Sequence, residues 1–225
     1  GEPIRVLVRR GPGGWSEQPA GFLGGLDDTF AVTETRGSQR GVQIDMRPVG
    51  AHLLFGIPMH ELAHRVVTLE ELFGSAGALL REAVADAPGW PGRFAVLDEF
   101  FLARLDHAAS PVPSVTRALG RLRESGGAVP IGALAAEVGS SRRHLIARFR
   151  EQVGVPPKLL ARILRFERVV SLVDSRTAMG WGEIAQVCGY YDQSHLIRDF
   201  RQFAGSAPRE FTRRRLPDGG GVIGD

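Results

Sequence analysis

Apolar and polar positions alternate in short runs over the first part of the chain and recur every three to four residues over the rest. Residues 4–10 and 42–47 alternate with the period of two that a half-buried strand needs, and the cluster Gly11-Pro12-Gly13-Gly14 punctuates them. Residues 22–26 and 30–35 are shorter strand candidates. Beyond Pro48 the period lengthens. Leu79, Leu80, Ala83 and Val84 fall on one face of a helix over 75–87, and Phe94, Leu97, Phe101 and Leu105 make one stripe of a second helix. Both stripes are expected to pack into a core, with Trp90 packing at a helix start. Residues 108–113 hold two prolines among small side chains and read as a linker. Four or five strand candidates are too few to close a barrel. The chain also opens on Gly1 and runs at once into a strand pattern, so it is expected to begin part-way into this first domain. From Pro217 onward, glycines predict a disordered tail over 217–225.

The second half is helical in pattern and repeats itself. His144-Leu145-Ile146-Ala147-Arg148-Phe149-Arg150 returns as His195-Leu196-Ile197-Arg198-Asp199-Phe200-Arg201, an offset of 51 that also carries Gly154 onto Gly205 and Pro157 onto Pro208. Upstream the offset is 50: Leu134-Ala135 matches Ile184-Ala185, and Val138-Gly139 matches Cys188-Gly189. The second copy therefore gains one residue between its glycine and its histidine. Two copies of one supersecondary unit account for this economically.

Each copy reads as a short apolar helix, a glycine stop and a longer helix. Ile131, Leu134, Ala135 and Val138 form the first apolar face, Gly139 suits a left-handed stop, and Ser140-Ser141 offers an N-cap. Leu145 and Phe149 then face inward at i, i+4; Leu196 and Phe200 do so after an Asp192 cap. This is the plan of a helix-turn-helix, whose second helix enters the DNA major groove. Between the copies, prolines 156 and 157 start a helix expected over 157–173, a connector about 26 Å long at ~1.5 Å per residue. A rod of that length suits two recognition helices one DNA turn apart, ~34 Å.

The outward positions carry the candidate chemistry. Copy one presents Arg142, Arg143, Ile146, Ala147, Arg148 and Arg150; copy two presents Gln193, Ser194, Ile197, Arg198 and Arg201. Arginine forks onto guanine, glutamine onto adenine, and Ile or Ala touches a thymine methyl, while flanking arginines neutralise phosphates. For one helix a solvated basic face explains the pattern as well. Two matched copies favour DNA.

Charge sharpens the division. The chain has 225 residues and a net charge of +3. Residues 1–110 hold 10 Arg against 14 acidic residues, net −4, and residues 111–225 hold 18 basic against 11 acidic, net +7. The basic half suits a polyanionic partner. Lys158 is the only lysine, which a GC-rich genome explains. With one cysteine, Cys188, and no uncharged apolar run of ~20 residues, the expected setting is the cytoplasm with no membrane contact. Cys188 itself is expected to be a buried apolar residue.

The run Ile184-Ala185-Gln186-Val187-Cys188-Gly189-Tyr190, with Asp192-Gln193-Ser194-His195-Leu196, Arg198, Phe200-Arg201, Gly205, Pro208 and Phe211, closely resembles the AraC/XylS family signature. The resemblance covers roughly 113–215. It implies a seven-helix DNA-binding domain with two helix-turn-helix units, and places the family's base-contacting positions on Arg143, Ile146, Ala147, Gln193, Ser194, Ile197 and Arg198. Stretches 50–58, 61–62 and 93–105 resemble the N-terminal domain of actinobacterial-type members, which implies effector binding or association.

One rival pattern stands apart. His60-Glu61-Leu62-Ala63-His64 has the spacing that puts two zinc ligands on one helix face with a glutamate beside them. Pro58 and Gly56 crowd its start and no third-ligand pattern follows, although His52, Glu70, Glu71 and Glu82 lie nearby. Two unliganded histidines are therefore favoured, a metal site for sensing or structure comes next, and a metallopeptidase last.

The sequence thus predicts an α+β N-terminal domain, entered part-way, followed by an all-α domain with two helix-turn-helix units joined by a long helix. The expected boundaries are 1–108 for sensing or dimerisation, 109–113 for the linker, 114–216 for DNA binding and 217–225 for the tail. The expected function is a sequence-specific transcriptional regulator reading two adjacent major-groove segments and modulated through its first domain. The alternative is a zinc-binding or metallopeptidase-like protein using His60 and His64. The expected DNA-binding set is Ser141, Arg142, Arg143, Ile146, Ala147, Arg150, Gln193, Ser194, His195, Ile197, Arg198 and Arg201. Double-stranded DNA is the principal partner. A small-molecule effector, a second copy of the chain and, for an activator, RNA polymerase are the others. No cofactor and no catalytic residue are expected.

Overall fold

A computed structural model describes residues 4–8, 16–18, 21–34, 41–175 and 177–215. The expected tail over 217–225 and the ends of the strand patterns at 9–10 and 35 lie outside these residues. The chain divides into two compact units, Gly1–Asp27 with Ala31–Val112 and Arg150–Gly154, and Asp28–Phe30 with Pro113–Phe149 and Val155–Asp225. Among the described residues the first half mixes small sheets with helices and the C-terminal region is all helix, as the sequence predicts.

Among the described residues the first half contributes five short strands. β1 (Ile4–Val8) lies between β2 (Ser16–Gln18) and β4 (Ala31–Glu34), antiparallel to both, with Ile4 opposite Gln18 and Val6 opposite Thr33. β3 (Phe22–Gly24) pairs antiparallel with β5 (Val66–Thr68), Phe22 opposite Thr68. Four α-helices complete this half: α1 (Pro48–Phe55), α2 (Leu69–Phe73), α3 (Ser75–Asp86) and α4 (Gly89–Leu105). α2 starts on a capping box in which Glu71 N donates to Thr68 Oγ1 and Thr68 N donates to Glu71 Oε2. Ala51, Met59, Leu62 and Val67 form the buried cluster, with Leu23, Met46, Phe55, Ile57 and Leu72 against it.

Four expectations fail in this half. Residues 42–47 form no strand. Gln43 Nε2 donates to Asp45 Oδ1, a local bond that competes with ladder pairing, and Ile44 stays exposed. The stripe Phe94, Leu97, Phe101, Leu105 is not the buried face of α4. Leu97 is 9% exposed, but Phe94 is 51% and Leu105 41% exposed. The inward line runs through Arg93, Leu97, Phe100 and Arg104. Arg93 Nε donates to Val84 O, and the Arg104 guanidinium lies 3.7 Å from the Phe100 ring centre and 4.6 Å from that of Phe73. Arginine stems here occupy positions that a hydrophobic count gives to leucine. Likewise Leu80 is buried while Leu79 and Ala83 are exposed, and Trp90 is exposed and stacks on Phe94.

Among the described residues the second half supplies seven helices: α5 (Pro113–Glu124), α6 (Ile131–Glu137), α7 (Arg142–Val153), α8 (Pro157–Asp174), α9 (Trp181–Val187), α10 (Gln193–Ala204) and α11 (Pro208–Arg214). The last turn of α7 groups with the first unit. Val169 on α8 joins Ile184, Ala185, Cys188, Tyr190, Leu196, Phe200 and Phe211 in one buried cluster, on which Trp181 and Phe166 pack. Phe200 is its aromatic centre: its ring meets those of Phe166, Trp181 and Phe211 edge-on, with centroids at 5.0, 6.4 and 5.1 Å.

Candidate nucleic-acid interface

The two copies of the repeat close their first helices with the same backbone bonds. After α6, Gly139 N donates to Ala136 O and Ser140 N to Ala135 O; after α9, Gly189 N donates to Gln186 O and Tyr190 N to Ala185 O. Gly139 and Gly189 take φ of 64° and 76°. A side chain at either would strain this left-handed stop, so glycine recurs at both. The caps of the second helices also recur. His144 N donates to Ser141 Oγ at 3.2 Å, and His195 N donates to Asp192 Oδ1 at 2.7 Å.

The inward residues of each second helix are buried as their spacing predicts. Leu145 and Phe149 are inward on α7, and Leu196 and Phe200 on α10. Leu134, Ala135 and Val138 in the first copy, and Ile184, Ala185 and Cys188 in the second, are buried as well. Ala135 and Ala185 occupy matching buried positions in the two copies.

The opposite face is polar and open. Ser141, Arg142, Arg143, Ala147, Arg148 and Arg150 are exposed on or at the start of α7, and Ile146 is half-buried. On α10, Gln193, Ser194, Arg198 and Arg201 are exposed. Ile197 is half-buried and packs on the core cluster. His195 is half-buried too, its ring meeting Tyr190 edge-on at 5.3 Å. Each second helix therefore carries exposed guanidinium groups, joined on α10 by an exposed amide and hydroxyl. Such groups can fork onto base edges or phosphates.

Two features around α10 escape the sequence pattern. Tyr191, in the turn before α10, is 93% exposed. It belongs to the stretch that the second copy lengthens by one residue, and that insertion was its only signal. The other is Arg162 on α8, whose guanidinium donates to buried Asp199 on α10. Its signal was a mismatch in the repeat, since Asp199 aligns with Arg148.

Burial also sets the titration of two groups behind the face. It pushes the Cys188 thiol up, against the pull of Arg168, and it pushes the Tyr190 phenol well up, aided by the Asp199 charge.

The His-Glu-x-x-His segment does not form the helix that zinc ligation would need. Met59–Glu61 is a single 3₁₀ turn, and His64 lies beyond it at φ 61°. The two imidazoles are therefore not stacked one α-helical turn apart. His60 is exposed, and His64 Nδ1 lies 3.1 Å from Asp27 Oδ1. Among the described residues, no helix is long and apolar enough to cross a membrane.

A family model described as a helix-turn-helix domain matches residues 134–214. No curated protein matches the chain. Among solved structures, the chain is similar to the C-terminal domain of AraT, a response regulator from Geobacillus stearothermophilus, at 24% identity over 48% of this chain and 90% of that one, with a TM-score of 0.45. It is similar to an AraC-type transcriptional regulator from Chromobacterium violaceum at 26% identity over 46% and 93%, with a TM-score of 0.42. The DNA-binding domain of AdpA, a global transcriptional factor solved in complex with a target DNA, is 24% identical over 47% and 92%, with a TM-score of 0.42.

Proposed function

We propose a mode of action for this chain as a DNA-binding transcriptional regulator whose residues 134–214 are an AraC-type helix-turn-helix domain. α7 and α10 each enter the major groove, so that one chain reads two adjacent segments on one face of the duplex. The observation that carries this reading is the duplicated unit: two helix pairs with the same turn bonds, each presenting an exposed polar face on its second helix. α8 joins them as an 18-residue rod, about 27 Å long at ~1.5 Å per residue.

Within this reading the residues divide by task. Gln193, Ser194 and Arg198, with Ile197, meet base edges in the second segment; Arg143, Ile146 and Ala147 do so in the first. Ser141, Arg142, Arg150, His195 and Arg201 flank them and hold phosphates. The first half of the chain modulates this through a small-molecule effector or through association with a second copy. Its net charge of −4 gives it no attraction for DNA. RNA polymerase is the further partner if the output is activation, the setting is the cytoplasm, and no catalytic step is assigned.

Two substitutions test the division. Arg198→Ala should cost about 1–3 kcal/mol on a specific duplex and relax preference at one base pair. Arg201→Ala should weaken binding to all sequences alike and flatten the salt dependence by about one unit of slope. Binding isotherms at several salt concentrations read both. An equal loss for Arg198→Ala on every sequence would contradict its base contact.

A further inference from the structure

We propose that Arg162 is a positioning residue, which pins the second recognition helix to the connector so that α10 offers its polar face at one fixed tilt. The inference rests on the DNA reading above and deepens it.

The geometry is a fork closed on a carboxylate. Arg162 Nη2 donates to Asp199 Oδ1 at 2.7 Å, and Arg162 Nε donates to the same oxygen at 3.2 Å and to Oδ2 at 3.4 Å. Nη2 also donates to Gln202 Oε1 at 2.6 Å, and the guanidinium lies 5.1 Å from the Phe203 ring centre. Gln202 Nε2 donates in turn to Asp28 Oδ2, within the same unit. The Asp199 side chain is 3% exposed and that of Arg162 23%. One group on α8 therefore holds three positions within about one turn of α10, namely 199, 202 and 203.

Stability alone is a poor reason for such a pair. Desolvating two charges costs much of what their attraction returns, and apolar replacements of similar volume are often as stable. What the pair adds is direction. Leu196 and Phe200 bury apolar surface, and that contact tolerates rotation and slip. A planar fork on a carboxylate tolerates little. Asp199 sits between Ile197-Arg198 and Arg201 on the same helix, so any roll of α10 that moves Asp199 moves the outward residues as well. The repeat carries position 199 onto Arg148 and 202 onto Glu151, so the carboxylate and the amide that Arg162 meets on α10 do not recur at the matching positions of α7.

The test compares the 225-residue chain with the double variant Arg162→Met, Asp199→Leu. Each is assayed on its selected duplex and on duplexes altered in the first or the second box. Thermal melting is followed in parallel. The double variant should melt within a few degrees of the parent and keep its discrimination at the first box. Its discrimination at the second box should fall at least tenfold. Unchanged discrimination at the second box overturns the proposal, and so does an equal fall at both boxes, which a purely structural role would give. If the double variant melts early, Asp199→Asn, which preserves shape but weakens the fork, is read in the same way against the same two outcomes. A parent that discriminates at neither box would overturn the DNA reading itself, and the proposal with it.

Discussion

Cys188 shows how far one position can be argued. It matches Val138 in the repeat, it lies in the cluster around Phe200, and burial pushes its thiol up. A raised pKa means less thiolate at neutral pH, and the thiolate is the nucleophile. The folded protein should therefore resist a thiol-labelling reagent at pH 7–8 and react once denatured. Rapid labelling of the native chain would contradict the burial. Phe200 lies in the same cluster with three aromatic neighbours, so Phe200→Ala should cost about 3–5 kcal/mol in denaturant unfolding of the C-terminal unit. A loss below about 1 kcal/mol would mean the cluster relaxes around the vacancy. Both positions were legible because i, i+4 spacing and the repeat constrained them twice. Ile197 and His195 were harder, because they sit on the border between the faces: Ile197 leans on the core and His195 on Tyr190. Asp199 was hidden for another reason, since a charged residue beside exposed Arg198 gives no local sign that its partner is 37 residues away on another helix.

At the scale of elements, legibility follows the number of independent signals. α7 and α10 have a cap, a preceding glycine stop and a duplicated face, and the structure agrees with all three. α8 starts on proline as expected and runs one residue past the anticipated 173. β2 and β5 are three residues each, too short for a periodic pattern, and they form because a partner strand lies beside them. α4 was assigned correctly as a helix but with the wrong face, since Arg93 and Arg104 take inward positions. This gives a contrast between two sites on one helix. Arg104→Ala removes a stem and a guanidinium stacked on Phe100 and Phe73 and should destabilise the protein by about 1–2 kcal/mol. Phe94→Ser, on the exposed side, should change stability by no more than about 0.5 kcal/mol. Chemical denaturation of both variants decides the matter, and the reverse order of effects would restore the stripe expected from hydrophobicity alone.

At the scale of the whole molecule, the chain joins a mildly acidic mixed half to a basic helical half. The fold class was readable because the period lengthens beyond Pro48, and the linker prolines at 108–113 then separate that mixed half from the helical repeat. The architecture of the first half was less readable, because its strands are short and its pairings non-local: β1 pairs with β4 across more than twenty residues, and β3 with β5 across more than forty. The central claim is that both recognition helices read bases along one face of the duplex. Selection of bound duplexes from a randomised library, with the 225-residue chain in moderate salt, tests it most directly. The account predicts enrichment of two short boxes about one helical turn, roughly 10 base pairs, apart. Enrichment of one box alone, or none from a folded protein, would contradict it.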